Sequence, residues 1–285
     1  MINRVAAPTP TTVPARRFRL RRAVARFELW WAGSWPWRYG SSLQFWPGRL
    51  LRRSGVLADE WIRFDDGLSV EIDSRNVIHK FLVRDGRFAT PIYDEIVRSI
   101  GRDGVFVDVG ANFGYFSVLA GTRTTTGHVL AVEANPAYAR KLAEHLTRND
   151  CADVEIFQVA CWDAEGTLDL FVAGIDNPGK TSLSSANAYS SELVKVPACP
   201  LDSIIEKSGV DKVDLIKVDV EGAELHVLDG MQHTIERFRP RVIVEVEDTL
   251  LAQFGATPGN IHEYFARHGY RSETLSATDI LFVPR

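Results

Sequence analysis

From Val105 onward, short apolar runs alternate with segments whose apolar residues recur every three or four positions. That alternation is the pattern of a parallel sheet covered by helices on both faces. The runs predict strands at Val105 to Val109, Val129 to Val132, Glu155 to Val159, Leu215 to Val218 and Arg241 to Val246. Helices are predicted near Tyr115 to Ala120, Pro136 to Arg148, Ala223 to Phe238 and Asn260 to His268. Between the third and fourth strands lies an insertion: a strand from Thr167 to Val172, a loop from Ala173 to Ser191 rich in Gly, Ser and Asn, and a strand from Val194 to Ala198. Two last strands, Tyr270 to Leu275 and Ile280 to Val283, can close the sheet as an antiparallel pair. The fold class expected is therefore α/β, a doubly wound, mostly parallel sheet with an antiparallel final strand.

Ahead of this core, Trp61 to Asp73 alternates apolar and polar residues around Asp66-Gly67, a hairpin signal, and a helical stretch follows from Pro91 to Ile100. Residues 1–15 carry Pro8, Pro10, Pro14 and three Thr and read as a disordered tail, with no apolar core that would make them a signal peptide. Residues 16–60 form a basic, Trp-rich extension with a helix expected from Phe18 to Trp31. The main domain then spans 61–285, as a hairpin and helix (61–104) followed by the α/β core (105–285).

Composition is that of a globular protein, with 45% hydrophobic and 25% charged residues among 285. The longest apolar runs fall short of the roughly 18 residues that cross a bilayer. Three cysteines without close pairing imply neither a disulfide framework nor a zinc site, and fit a cytoplasmic setting. The net charge of −4 conceals an asymmetry: ten Arg lie between Arg16 and Arg53 against the single acid Glu28, so the rest of the chain is strongly acidic. An acidic body argues against nucleic acid as a partner. The extension also holds Trp30, Trp31, Trp35, Trp37 and Trp46. Its Arg and Trp suit peripheral contact with an anionic membrane, and equally suit packing onto the acidic body or onto a second subunit of a homo-oligomer.

The first strand runs into its helix through Val107-Asp-Val-Gly-Ala-Asn-Phe-Gly114. Glycines there let the backbone turn tightly and approach a ligand, and free helix N–H groups are expected to point into the same space. A dinucleotide fingerprint would place glycine where Asp108 stands, and Asn112 breaks its second pair. A carboxylate there repels a pyrophosphate and suits a cationic or amino-bearing ligand. The second strand ends in Glu133, where an acid accepts hydrogen bonds from a ribose diol, and Asn135-Pro136 opens the next helix. Together these residues describe a pocket for a positively charged adenosine without phosphates, S-adenosylmethionine.

With those residues stated, the sequence resembles the FkbM family of S-adenosylmethionine-dependent methyltransferases over roughly residues 62 to 247. The resemblance rests on Phe106-Val-Asp-Val-Gly-Ala-Asn-Phe-Gly-Tyr-Phe-Ser117, Val132-Glu-Ala-Asn-Pro136, Val194 to Leu201 with Asp202, and above all Asp214-Leu-Ile-Lys-Val-Asp-Val-Glu-Gly-Ala-Glu224. It implies a class I Rossmann-like fold and O-methylation of a sugar, glycan or natural-product hydroxyl. By position it also implies that Asp108, Gly110, Asn112 and Gly114 line the methionine end of the cofactor, that Glu133 holds the ribose, that Ala160, Cys161 and Trp162 lie at the adenine, and that Asn135 and Asp219 belong to the cofactor site as well. Trp162 stands where the family commonly has a small polar residue, and could stack on the base or pack in the core.

An aliphatic hydroxyl gains from a base that removes its proton. The fourth strand delivers Asp219 and Glu221 to the carboxyl edge of the sheet, where open α/β folds bind ligands, and these are the candidate catalytic acids. Asp219 could instead be an N-cap, Glu221 a helix first-turn acid, and His79 is an outside candidate for the base. Glu245 and Glu247 could join Asp219 around a magnesium ion, although no dedicated motif supports it. His226 and His233, seven apart, look like a packing stripe on one helix. In the insertion, Lys180, Ser182 and Tyr189 could touch a polyhydroxylated acceptor. Two competing readings remain open at this stage, a nicotinamide-dependent oxidoreductase and a non-catalytic protein that kept the fold.

Overall fold

The computed structural model describes residues 23, 60–73, 76–151, 153–172, 182–184 and 192–285. The Arg/Trp-rich extension, its expected helix, Lys180 and Tyr189 lie outside the described residues. The chain divides into two compact units, Met1–Phe88 with Ile175–Gly179, and Ala89–Gly174 with Lys180–Arg285.

In the first unit, β1 (Glu60–Arg63) and β2 (Ser69–Ile72) form the antiparallel hairpin expected around Asp66-Gly67. Asp66 Oδ1 accepts the Leu68 N–H at 3.1 Å, and Gly67 takes a positive φ of 89°. A helix not anticipated from the pattern, α1 (Val77–Asp85), follows; Asn76 caps it by accepting the Ile78 N–H, and Gly86 ends it in the left-handed region.

The second unit opens with α2 (Thr90–Ser99) and then alternates strand and helix: β3 (Val105–Val109), α3 (Tyr115–Gly121), β4 (His128–Val132), α4 (Pro136–Arg148) and β5 (Val154–Phe157). An excursion of β6 (Ala160–Cys161), β7 (Gly166–Val172) and β8 (Glu192–Cys199) makes a separate three-stranded sheet in the order β6-β8-β7. The chain then returns through α5 (Leu201–Ser208), β9 (Leu215–Val218), α6 (Glu224–Asp229), α7 (Gln232–Phe238), β10 (Arg241–Glu245), α8 (Asp248–Leu251), α9 (Pro258–Arg267), β11 (Tyr270–Thr274) and β12 (Asp279–Pro284).

Seven strands form the main sheet in the order β11-β12-β10-β9-β3-β4-β5. Within it β3, β4, β5, β9 and β10 pair in parallel, and β12 runs antiparallel to both β10 and β11. All residues of β3 and β9 are buried, as the unbroken apolar runs require of central strands covered on both faces. The strand order reverses between β3 and β9, which is where open α/β sheets bind ligands beyond their carboxyl ends.

The helix expected over Ala223 to Phe238 is two helices. Gly230 interrupts it: a Cβ there would stand 2.1 Å from the Trp162 carbonyl oxygen, so the chain must change course where it meets Trp162. His226 and His233 therefore sit on separate helices and form no stripe. Likewise the expected strand Glu155 to Val159 stops at Phe157, and Ala160–Cys161 passes to the small sheet beside β8.

Candidate active site

The site grows out of register. Asp108 on β3 and Lys217 on β9 are paired residues of adjacent parallel strands, so their side chains project from the same face, and Asp219, two residues on, shares it. Lys217 pairs in turn with Ile243 on β10, which brings Glu245 to that face, and Glu245 is paired with Asp279 on β12. Four neighbouring strands thus gather acids at one edge around one buried ammonium. Lys217 Nζ donates to Asp219 Oδ2 at 2.8 Å and lies 5.4 Å from the centre of the Phe116 ring, with its side chain 4% exposed. Burial works against that ammonium, but Asp219 and Asp108 outweigh it and hold Lys217 above its ordinary value.

Asp108 is buried, and the Ser117 hydroxyl donates to its Oδ2 at 2.6 Å. Its Oδ1 has no hydrogen-bond partner among the described residues. Burial pushes the Asp108 carboxyl upward, with Lys217 opposing it. A buried oxygen left in this condition costs free energy unless a donor reaches it.

The loop from Gly110 to Gly114 differs from expectation in one respect. Its amides are not left for a ligand. The N–H groups of Gly110 and Ala111 both donate to the Val132 carbonyl at 3.0 Å, and that of Asn112 to Glu133 Oε2 at 2.7 Å. Phe113 donates to Asn112 Oδ1 and Gly114 to the Ala111 carbonyl. Gly110 has φ 79° and lies against the backbone of Asp219, while Asn112, at φ 56°, takes the left-handed turn that asparagine tolerates.

Glu133, at the end of β4, clasps two segments: Oε2 accepts from Asn112 and Oε1 from the Asn135 N–H, each at 2.7 Å. Each oxygen keeps a second lone pair. Burial raises its carboxyl to about 7 against the pull of those two N–H groups. Asn135 caps α4 through the Ala137 N–H at 2.9 Å.

The loop after β9 is shaped by Glu224, which the sequence reading did not single out. Its Oε1 accepts from Val220 N–H at 3.0 Å and Gly222 N–H at 3.1 Å, and burial lifts its carboxyl to about 7. Glu221 lies in this loop with φ 57° and is not a helix first-turn acid; Asp219 is tied to Lys217 and is not an N-cap. Ser182, expected to meet an acceptor, is brought to the same loop: its hydroxyl donates to the Glu221 carbonyl at 3.4 Å, and its own Oγ accepts from Ser184. The charge of Asp219, followed by burial, Glu221 and Glu224, drives Glu245 up to about 10.

Trp162 stacks on His226 with ring centres 3.8 Å apart, and it packs beside the small β6-β8-β7 sheet. His226 Nδ1 meets Asp163 Oδ2 at 2.8 Å. Cys161 and Ala160 are buried in β6, and burial raises the Cys161 thiol. His79 belongs to the first unit, where it is buried and its Nδ1 accepts the Asp73 N–H at 2.8 Å. Among the described residues no group of three or more His, Cys, Asp or Glu is arranged to hold a metal ion, so Asp219, Glu245 and Glu247 do not assemble the magnesium site considered above. Among those residues no helix is long and apolar enough to cross a membrane.

The doubly wound sheet with one inverted strand is the class I, Rossmann-like architecture, and Asp108 stands where a dinucleotide site needs glycine. Residues 108–272 match the family described as Methyltransferase FkbM domain, and the chain belongs to that family. It is a methyltransferase, and the nicotinamide reading is set aside. The hexuronic acid methyltransferase AglP of Haloferax volcanii is 24% identical over 194 residues, covering 68% of this chain and 77% of that protein. The 2-O-methyltransferase NoeI of Sinorhizobium fredii is 24% identical over 190 residues, 61% of this chain and 76% of that protein. The AMB antimetabolite synthetase AmbE of Pseudomonas aeruginosa is 26% identical over 251 residues, 75% of this chain, but the match spans only 12% of that protein's length. The crystal structure of methyltransferase FkbM from Methylobacillus flagellatus aligns with a TM-score of 0.45 at 14% identity, over 91% of this chain and 77% of that one.

Proposed function

We propose that this protein methylates a hydroxyl of a sugar, glycan or glycosylated small molecule, using S-adenosylmethionine as donor. The observation that carries this reading is the buried Asp108 carboxylate with Oδ1 lacking a hydrogen-bond partner among the described residues, which fits the α-ammonium of a methionine moiety and would repel a phosphate. Glu133, with lone pairs to spare, would take the ribose hydroxyls, and Gly110, Asn112, Gly114 and Asn135 shape the loops around them. Ala160, Cys161 and Trp162 would border the adenine. Bound there, S-adenosylmethionine supplies an electrophilic methyl group on a sulfonium. Asp219 and Glu221 orient the acceptor hydroxyl and receive its proton; because the oxygen becomes acidic as it is methylated, a carboxylate is basic enough for the task. The names of two relatives, a hexuronic acid methyltransferase and a 2-O-methyltransferase, support a sugar hydroxyl as acceptor.

The test is incubation of the full chain with methyl-labelled S-adenosylmethionine and a panel of methyl glycosides, uronic acid glycosides and fractionated glycan and lipid extracts. Label should appear as a base-stable methyl ether. Glu221→Gln should lower turnover, by about a hundredfold if it takes the proton, without moving donor affinity, whereas Asp219→Asn, which also removes the partner of Lys217, should lower both. Calorimetry that finds NAD but no S-adenosylmethionine bound would overturn the assignment.

A further inference from the structure

Lys217 is the charged residue of a fully buried central strand, and the reading above gives it no task. Its surroundings define one. It lies at the register position beside Asp108, it is anchored by Asp219 Oδ2 at 2.8 Å, and Asp279 adds a third negative charge nearby. An isolated carboxylate taken out of water gives up its charge by binding a proton, and a protonated Asp108 would meet an ammonium poorly. A buried cation alongside opposes that tendency. It also leaves the group with an excess of negative charge, since one ammonium faces Asp108, Asp219 and Asp279.

We propose that Lys217 is a positioning residue for the donor's methionine ammonium and acts through Asp108. Its buried ammonium, held in place by Asp219, keeps Asp108 charged with Oδ1 free of any hydrogen-bond partner among the described residues. This rests on the donor reading above, and extends it to a residue that does not itself touch the ligand. The other groups that act on Asp108 are Ser117, which donates to Oδ2, and Asp219, which opposes its ionisation, while Asp108 in turn raises the Glu133 carboxyl. Lys217 is the counterweight to Asp219.

The experiment is a double-mutant cycle on S-adenosylmethionine affinity by calorimetry at pH 7, with the full chain, Lys217→Gln, Asp108→Asn and the double variant. Lys217→Gln should weaken binding about ten- to a hundredfold, the scale of a charge-assisted contact. In the Asp108→Asn background the same change should cost nothing further. Equal losses in both backgrounds, or no loss, overturn the proposal. A second measurement does not depend on the donor: the 13Cγ resonance of Asp108, identified by its absence in Asp108→Asn, should be that of a carboxylate at pH 7 in the parent and of a carboxylic acid in Lys217→Gln. An unchanged resonance overturns the proposal whether or not S-adenosylmethionine binds. Failure of the parent chain to bind the donor, with the resonance moving as expected, overturns the donor reading alone. Should Lys217→Gln not unfold cooperatively, two other variants carry the comparison. Lys217→Arg keeps the charge and should hold Asp108 as a carboxylate. Lys217→Met with Asp219→Asn, which removes the buried pair together, should not.

Discussion

Gly110 lies so close beneath Asp219 that a Cβ on it would stand 1.8 Å from the Asp219 carbonyl oxygen. The contact joins the two loops that carry the candidate site, one after β3 and one after β9. It sets their separation by backbone against backbone. Gly110→Ala must push the loops apart and also adopt φ 79° with a side chain. The expected cost is about 3 kcal/mol or more from overpacking and the left-handed penalty combined. Donor affinity should fall with it, as read by urea unfolding and calorimetry on the same sample.

Glu133→Ala removes the acceptor of two amides at once and frees both the Gly110–Gly114 loop and the start of α4. Donor affinity should drop about ten- to a hundredfold. Stability should drop by about 2 kcal/mol or more, because a buried N–H loses its partner. Asn135→Ala, which removes the α4 cap but keeps the Glu133 clasp on the Asn112 and residue-135 amides, should cost about 1 kcal/mol and leave donor affinity nearly intact. Equal effects of the two variants on affinity would count against a ribose role for Glu133.

The two carboxyls raised to about 7, Glu133 and Glu224, make stability depend on pH in a defined direction. In the unfolded chain a glutamate ionises near 4.5, so between 4.5 and 7 the native state holds protons that the unfolded state has released. Each group therefore contributes stability that is fully present below pH 4.5 and is lost as pH rises through 7, up to about 3 kcal/mol apiece by linkage. Glu224→Gln keeps one acceptor for the Val220 and Gly222 amides and cannot ionise. Its unfolding midpoint in urea should fall less than the parent's between pH 5 and pH 7.5.

Glu95, 1% exposed, binds Arg241 Nε at 2.7 Å, Ser99 Oγ at 2.6 Å and the Arg98 guanidinium, tying α2 to the start of β10. Glu95→Ala leaves Arg241 unpaired at a part-buried position and should cost about 3–5 kcal/mol. Arg98→Ala, whose side chain is 64% exposed, should cost under about 1 kcal/mol. Chemical denaturation of the two variants separates these values.

The main sheet was legible because its strands are apolar runs and its helices have apolar stripes, and each signal is local. The Asp66-Gly67 hairpin and the final antiparallel pair were legible for the same reason. What escaped depends on distant contacts. Gly230 breaks the long helix because Trp162, far away in sequence, comes within van der Waals reach. Asp108, Glu133, Asp219 and Glu221 stood out by residue type at strand ends, but the commitment of the loop amides to Val132 and Glu133 had no local trace. Lys217 did leave one: a lysine in the middle of an apolar strand has to find a carboxylate, and the strand's own pattern already excluded solvent. Glu224 was hidden because its acceptor role runs backward to Val220 and Gly222.

The loop amides bear on how this site relates to dinucleotide sites of similar outline. Replacing Asp108 by glycine would lift the repulsion of phosphate, yet it would uncover no donors, since the N–H groups from Gly110 to Gly114 are already committed to Val132, Glu133, Asn112 and Ala111. A change of ligand class therefore has to begin in the path of the backbone, with the Val132 and Glu133 anchors, before any change of the acid can be useful.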